Sequence, residues 1–110
     1  MSTAYEVMTP ATVEDGPIQV AVSTGGRSPA LAKYLREQIE TDIESAGAMA
    51  TLTADLRAEL RGRECSPSER RDAIRSVVRD PDVWKGLRTG ENNARQEATR
   101  VIRNTMGGER

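Results

Sequence analysis

At 110 residues, with 36% hydrophobic side chains, 3% aromatic ones and no Phe, the chain supports one small domain, or part of a larger protein, around a thin aliphatic core. Its single cysteine, Cys65, and its lack of histidine exclude an intrachain disulfide, the usual zinc sites and every histidine-dependent catalytic triad. The net charge of −1 conceals an acidic half, residues 1–55 with three basic and eight acidic side chains, and a basic half, residues 56–110 with thirteen and nine.

In chain order, residues 1–17 read as irregular, broken by Pro10, Gly16 and Pro17, with Tyr5 to Met8 as a candidate short edge strand. Ile18-Gln19-Val20-Ala21-Val22 alternates, placing Ile18, Val20 and Val22 on one side of a strand. After Ser23-Thr24-Gly25-Gly26-Arg27 comes a helix start, with Ser28 suited to the N-cap and Pro29 to the first helical position. Leu31, Leu35, Ile39 and Ile43 recur every four residues beside Tyr34, which predicts an amphipathic helix over about 28–45 with Gly47 near its end. Met49, Leu52, Leu56 and Leu60 form the stripe of a second helix over about 48–62, with Gly62 at the expected cap.

Ser66-Pro67-Ser68-Glu69 is a capping box that opens a third helix carrying Ala73, Ile74, Val77 and Val78. Asp80-Pro81 restarts a short helix with Trp84, the expected core anchor, and Leu87. A last helix begins at Thr89 or Gly90 and carries Ala94, Ala98, Val101 and Ile102, before Gly107-Gly108 releases the tail. The expected fold is α+β and mostly α. One or two short N-terminal strands precede a long helix and about four further helices, with a strand, Gly-Gly loop and long helix over 1–46, the part that the family resemblance given below implies is a dimerisation region, and a helical region over 47–110.

A strand that runs through a Gly-Gly loop into a helix N-terminus is a good place to hold an anion. Glycine lets the backbone approach a ligand, and the first helical N–H groups point outward. Ser23, Thr24 and Ser28 add hydroxyls, Gly25 and Gly26 the turn, and Arg27 a fork of donors for carboxylate or phosphate. The segment is neither a Walker loop nor a dinucleotide fingerprint, since the spaced glycines of both are missing. The same residues also read as a tight connection with an ordinary helix cap.

Residues 18–40, IQVAVSTGGRSPALAKYLREQIE, closely resemble a segment of the siroheme synthases, enzymes that combine precorrin-2 dehydrogenase and sirohydrochlorin ferrochelatase activities. The matching positions are Ser23, Thr24, Gly26, Ser28 and Pro29, then Leu31, Ala32, Lys33, Arg36, Glu37 and Glu40; upstream, Val7-Met8-Thr9-Pro10 is similar to the family's apolar-Met-Pro stretch. The resemblance implies an oxidoreductase and lyase chemistry in which precorrin-2 is oxidised with NAD to sirohydrochlorin, and iron, a substrate, is inserted to give siroheme. It also implies a homodimer with an intertwined sheet, and a Rossmann domain, upstream or on a separate chain, that holds the NAD. The family's acid/base Asp falls immediately ahead of Met1, so no catalytic, cofactor-binding or metal residue is assigned here. This chain is expected not to bind NAD or to be active by itself. Ser23, Thr24, Gly25, Gly26, Arg27 and Ser28 are the substrate-side candidates, facing the carboxylates of a tetrapyrrole.

The competing expectation is a non-catalytic dimeric module that pairs with a separate Rossmann chain or regulates a full-length enzyme. An arginine-rich nucleic-acid binder over 57–103 is disfavoured by the interleaved acidic residues and the lack of stacking aromatics. Arg36 and Glu37 read as surface or interface ion pairs, and Cys65 is assigned no function. No apolar run approaches the ~20 residues of a membrane span, and no basic-then-apolar leader is present, so a cytoplasmic location is expected.

Overall fold

The alternating segment at 18–22 forms the expected strand, but it is the second strand of a hairpin. In the computed structural model, which describes residues 11–106, the order is β1 (Ala11–Asp15), β2 (Ile18–Val22), α1 (Pro29–Asp42), α2 (Ala46–Arg61), α3 (Pro67–Arg79), α4 (Pro81–Thr89) and α5 (Glu91–Thr105). The fold class is therefore α+β and mostly α, as expected. The chain divides into two units, the first ending at Gly47 and the second beginning at Ala48.

In the first unit, β1 and β2 pair antiparallel, with Val13 opposite Val20, Ala11 opposite Val22 and Asp15 opposite Ile18. This corrects the irregular reading of residues 11–15. The breakers Gly16 and Pro17 are the two loop residues of a hairpin. Gly16 has φ +59 and Pro17 cannot adopt positive φ, the combination a type II′ turn requires. Thr12, Glu14, Gln19 and Ala21 are exposed, while Val13 is buried and Val20 and Val22 are half-buried, so alternation holds on both strands. The candidate strand at Tyr5 to Met8, the Val7–Pro10 match and the Gly107-Gly108 tail lie outside the described residues.

Helix α1 lies against both strands. Ser28 caps it as expected, its hydroxyl accepting from the Leu31 N–H at 3.2 Å, with Pro29 at the start. It stops at Asp42, three residues short of the expected end. Ser45 turns the chain with φ +74, and its N–H donates to the Asp15 carboxylate at 2.9 Å. Gly47 belongs to the first turn of α2 and does not close α1. A Cβ there would stand 2.6 Å from the Asp15 carbonyl oxygen, so the close approach requires glycine.

The second unit carries an aliphatic core. Met49, Leu52, Leu56 and Leu60 of α2, Ala73 and Val77 of α3, Val83 of α4, and Ala94, Ala98, Val101 and Ile102 of α5 are all buried together. Each large side chain among them contributes about 1.5–3 kcal/mol. The capping box forms at both ends: Glu69 N–H donates to the Ser66 hydroxyl at 3.0 Å, and Ser66 N–H to the Glu69 carboxylate at 2.7 Å.

Pro81 forbids helical backbone at Asp80, so the helix breaks there. Asp80 is extended, and its carboxylate accepts from the Asp82 and Val83 N–H groups at 2.9 and 3.2 Å, capping α4. Trp84 is only partly buried. It packs against the core and donates its indole N–H to the Val78 carbonyl at 2.7 Å, while Val83 and Gly86 are the buried positions of α4. Val78, expected inside, is 39% exposed.

Candidate functional site

The loop from Ser23 to Ser28 is held by its own hydrogen bonds. Thr24 does most of this: its hydroxyl accepts from the Ser28 N–H at 3.0 Å and donates to the Ser28 carbonyl at 3.3 Å. The Ser23 hydroxyl accepts from the Gly25 N–H at 3.2 Å, and Arg27 N–H reaches the Thr24 carbonyl at 3.3 Å. Gly25 and Gly26 have φ +68 and +79, two successive left-handed residues that would cost any L side chain about 1–2 kcal/mol each. Gly25 also leaves room for its neighbour, since a Cβ there would stand 3.1 Å from the Arg27 guanidinium.

All six candidate residues are thus brought together in one loop, but with unequal freedom. Thr24 both accepts and donates inside the loop and has the least left for a ligand. Ser23 and Ser28 accept within the loop and keep their hydroxyl protons to donate. The Gly26 N–H has no hydrogen-bond partner among the described residues. Arg27 is exposed and forms no ion pair among the described residues. A planar guanidinium, a free N–H and two hydroxyl protons thus lie in one loop at the start of a 14-residue helix, a set of donors suited to a carboxylate.

The helix that follows presents an apolar surface. No residue of α1 is fully buried, and Leu31, Tyr34 and Leu35 are 47%, 57% and 37% exposed. Its charged flank behaves as expected of surface side chains, with Arg36 near Glu40 at 3.7 Å and Glu37 at 4.0 Å. The sequence pattern located this stripe but not its exposure, which depends on what the rest of the chain covers. Asp15 carries no sequence signal as a positioning residue, because its partner Ser45 lies thirty positions away.

NAD does not fit the described residues: the sheet is a two-stranded antiparallel hairpin, without the parallel β-α-β unit and spaced glycines of a dinucleotide site. No His/Cys/Asp/Glu cluster able to hold a metal ion occurs among the described residues, and no helix there is long and apolar enough to cross a membrane.

Residues 15–41, from the hairpin turn through most of α1, match the family model described as "Sirohaem biosynthesis protein central". Among curated proteins, the chain is 51% identical over 94 residues to the siroheme synthase of Methylococcus capsulatus, covering 84% of this chain and 19% of that enzyme. It is 36% identical over 104 residues to the siroheme synthase of Gluconobacter oxydans, covering 94% and 21%. A precorrin-2 dehydrogenase of Methanosarcina barkeri is 29% identical over 103 residues, covering 93% of this chain and 46% of the relative. The chain therefore spans about a fifth of the length of the siroheme synthases it matches and about half of the dehydrogenase.

Proposed function

Since the chain belongs to the siroheme synthase family, matching those enzymes over most of its own length and about a fifth of theirs, we propose that it supplies the dimerisation and substrate-side portion of a siroheme-biosynthesis enzyme. The whole enzyme's chemistry is the NAD-dependent oxidation of precorrin-2 to sirohydrochlorin, followed by insertion of iron, a substrate, to give siroheme. The part of that chemistry that falls to the residues of this chain is to bind and orient the tetrapyrrole.

One observation carries this proposal: an exposed Arg27, free of ion pairs among the described residues, stands at the head of a helix on which Leu31, Tyr34 and Leu35 are exposed. Arg27 receives a carboxylate of the macrocycle through paired N–H bonds, and the Gly26 N–H and the Ser23 and Ser28 hydroxyls complete the contact. Thr24, Gly25 and Gly26 hold the loop in shape. Fixing a large polyanion at its rim orients the ring without touching the reacting atoms.

The homodimer follows from two exposed features of the first unit. A two-stranded hairpin is marginal alone, and each strand has an edge without a partner among the described residues. Leu31, Tyr34 and Leu35 leave apolar surface in water that a two-fold partner would cover with the same residues. Pairing of hairpin edges across the two-fold then yields an intertwined sheet in a cytoplasmic dimer.

Sedimentation of the whole chain at micromolar concentration is expected to give a dimer, and Leu35→Asp a monomer; a native monomer removes the dimer. Titration with sirohydrochlorin is expected to weaken about tenfold or more in Arg27→Ala, as loss of a charge-assisted pair implies. Equal affinity takes Arg27 out of the site. A stable dimer with no tetrapyrrole affinity would instead favour a non-catalytic module that pairs with a separate Rossmann chain or regulates a full-length enzyme.

A further inference from the structure

The second unit contains a cationic groove that the loop does not explain. On α3, Pro67, Arg70, Arg71, Ile74 and Arg75 are spaced i, i+3, i+4, i+7, i+8, which puts them on one helical face. Together with Arg57 of α2 they line a groove of about 540 Å³. This is within the range of small-ligand sites.

The charge in this groove is poorly balanced. Arg57, Arg70 and Arg71 have no Asp or Glu three or four positions away in either direction, and none forms an ion pair among the described residues. Arg75 alone has a partner, Asp72 at 3.8 Å. Four arginines line this one concave surface, three of them without an ion pair among the described residues, an excess of positive charge that an anion would offset.

The floor is apolar and the frame is fixed. Pro67 and Ile74 lie between the arginines, and Ile74 packs against the core. The capping box sets the start of α3, and Ala73 and Val77, fully buried, anchor the adjoining face. The backbone that carries Arg70, Arg71 and Arg75 is therefore preorganised, and a ligand needs to order only the guanidinium ends.

We propose that this groove binds a small organic polycarboxylate, its carboxylates on the guanidinium forks of Arg57, Arg70, Arg71 and Arg75 and its apolar body on Pro67 and Ile74. Planar forks match carboxylates two bonds at a time. An apolar floor favours an anion with a carbon frame over a bare inorganic one. A nucleic-acid strand is disfavoured because no aromatic side chain lines the groove to stack on its bases. The groove shares no residue with the loop at 23–28 and does not depend on the function proposed for that loop.

The test is a titration of the whole ¹⁵N-labelled chain with mellitate, a benzene ring carrying six carboxylates, followed by amide chemical shifts. Shifts are expected at residue 57 and over 67–75, with affinity falling about tenfold or more in Arg70→Ala/Arg71→Ala, and partly restored in Arg70→Lys/Arg71→Lys. Arg27→Ala should leave these shifts unchanged, which separates this groove from the loop. Shifts confined to 23–31, equal affinity in the double alanine variant, or displacement by sulfate at matched ionic strength would each overturn the proposal, as would tighter binding of a short DNA duplex at the same amides.

Discussion

Gly86 offers the sharpest quantitative test of the helical unit. It lies inside α4, where glycine is a poor helix former, so a substitution to alanine ought on propensity alone to stabilise by about 1 kcal/mol. Steric crowding against α5 opposes this gain and outweighs it. A Cβ at Gly86 would stand 2.7 Å from the Ala94 nitrogen, 2.8 Å from its Cα and 3.0 Å from the Asn93 carbonyl carbon, all backbone atoms of α5. None of these can swing away as a side-chain end would, so α4 and α5 must part by roughly 0.7 Å to reach ordinary contact.

Forcing extra atoms into a packed core costs about 1–3 kcal/mol, and a contact with rigid backbone belongs at the upper end. The net expectation for Gly86→Ala is a loss of about 2 kcal/mol, roughly a thirtyfold change in the folded ratio. Urea unfolding of the whole chain, followed by far-UV circular dichroism at one fixed protein concentration, should show the midpoint fall by about 1–2 M. Gly62→Ala is the control, since its Cβ would meet only the Glu59 carbonyl, at an ordinary 3.5 Å. A Gly86→Ala midpoint equal to or above the native one would mean that propensity dominates and that α4 and α5 do not meet at this glycine.

Asp15→Ala should destabilise by about 1–3 kcal/mol, because the half-buried Ser45 N–H loses its acceptor. Asp15→Asn, whose amide oxygen can still accept, should cost less, and hydrogen exchange at the Ser45 amide should rank the three proteins in that order. Asp80→Ala removes the cap of α4 and should cost about 1–2 kcal/mol in thermal unfolding; an unchanged midpoint would show the Asp82 and Val83 N–H groups satisfied elsewhere. Arg100 is hydrogen-bonded to Glu97 at 2.9 Å and faces Asp80, and these carboxylates hold its guanidinium above the usual arginine range. It stays charged at any working pH, yet it is solvent-exposed, so Arg100→Gln should leave the urea midpoint unchanged at physiological salt.

Local chemistry made much of this chain legible from its residues. Ser28-Pro29, Ser66-Pro67-Ser68-Glu69 and Asp80-Pro81 each start a helix where expected, because a cap needs only a side-chain acceptor two or three residues from its donor. The leucine stripe of α2 and the alanine stripe of α5 are buried as their spacing implies. The loop at 23–28 was likewise recognisable, since adjacent glycines between a strand and a cap have few other uses.

What escaped the sequence was what distant residues decide. Ala11–Asp15 became a strand because Gly16-Pro17 closes a turn against β2; read alone, the same two residues look like an interruption. The stripe of α1 has the pattern of a buried face, yet Leu31 and Leu35, with Tyr34 beside them, are exposed, because periodicity records which residues are apolar but not what covers them. Sequence alone determined the helices, their caps and the glycine turn at 23–28, all set within a few residues along the chain. Tertiary structure alone decided that Asp15 holds Ser45, that Gly86 admits α5, that four arginines share one groove and that Arg27 stands free of ion pairs among the described residues. Those outcomes depend on distances between residues far apart in sequence, which only the folded chain fixes.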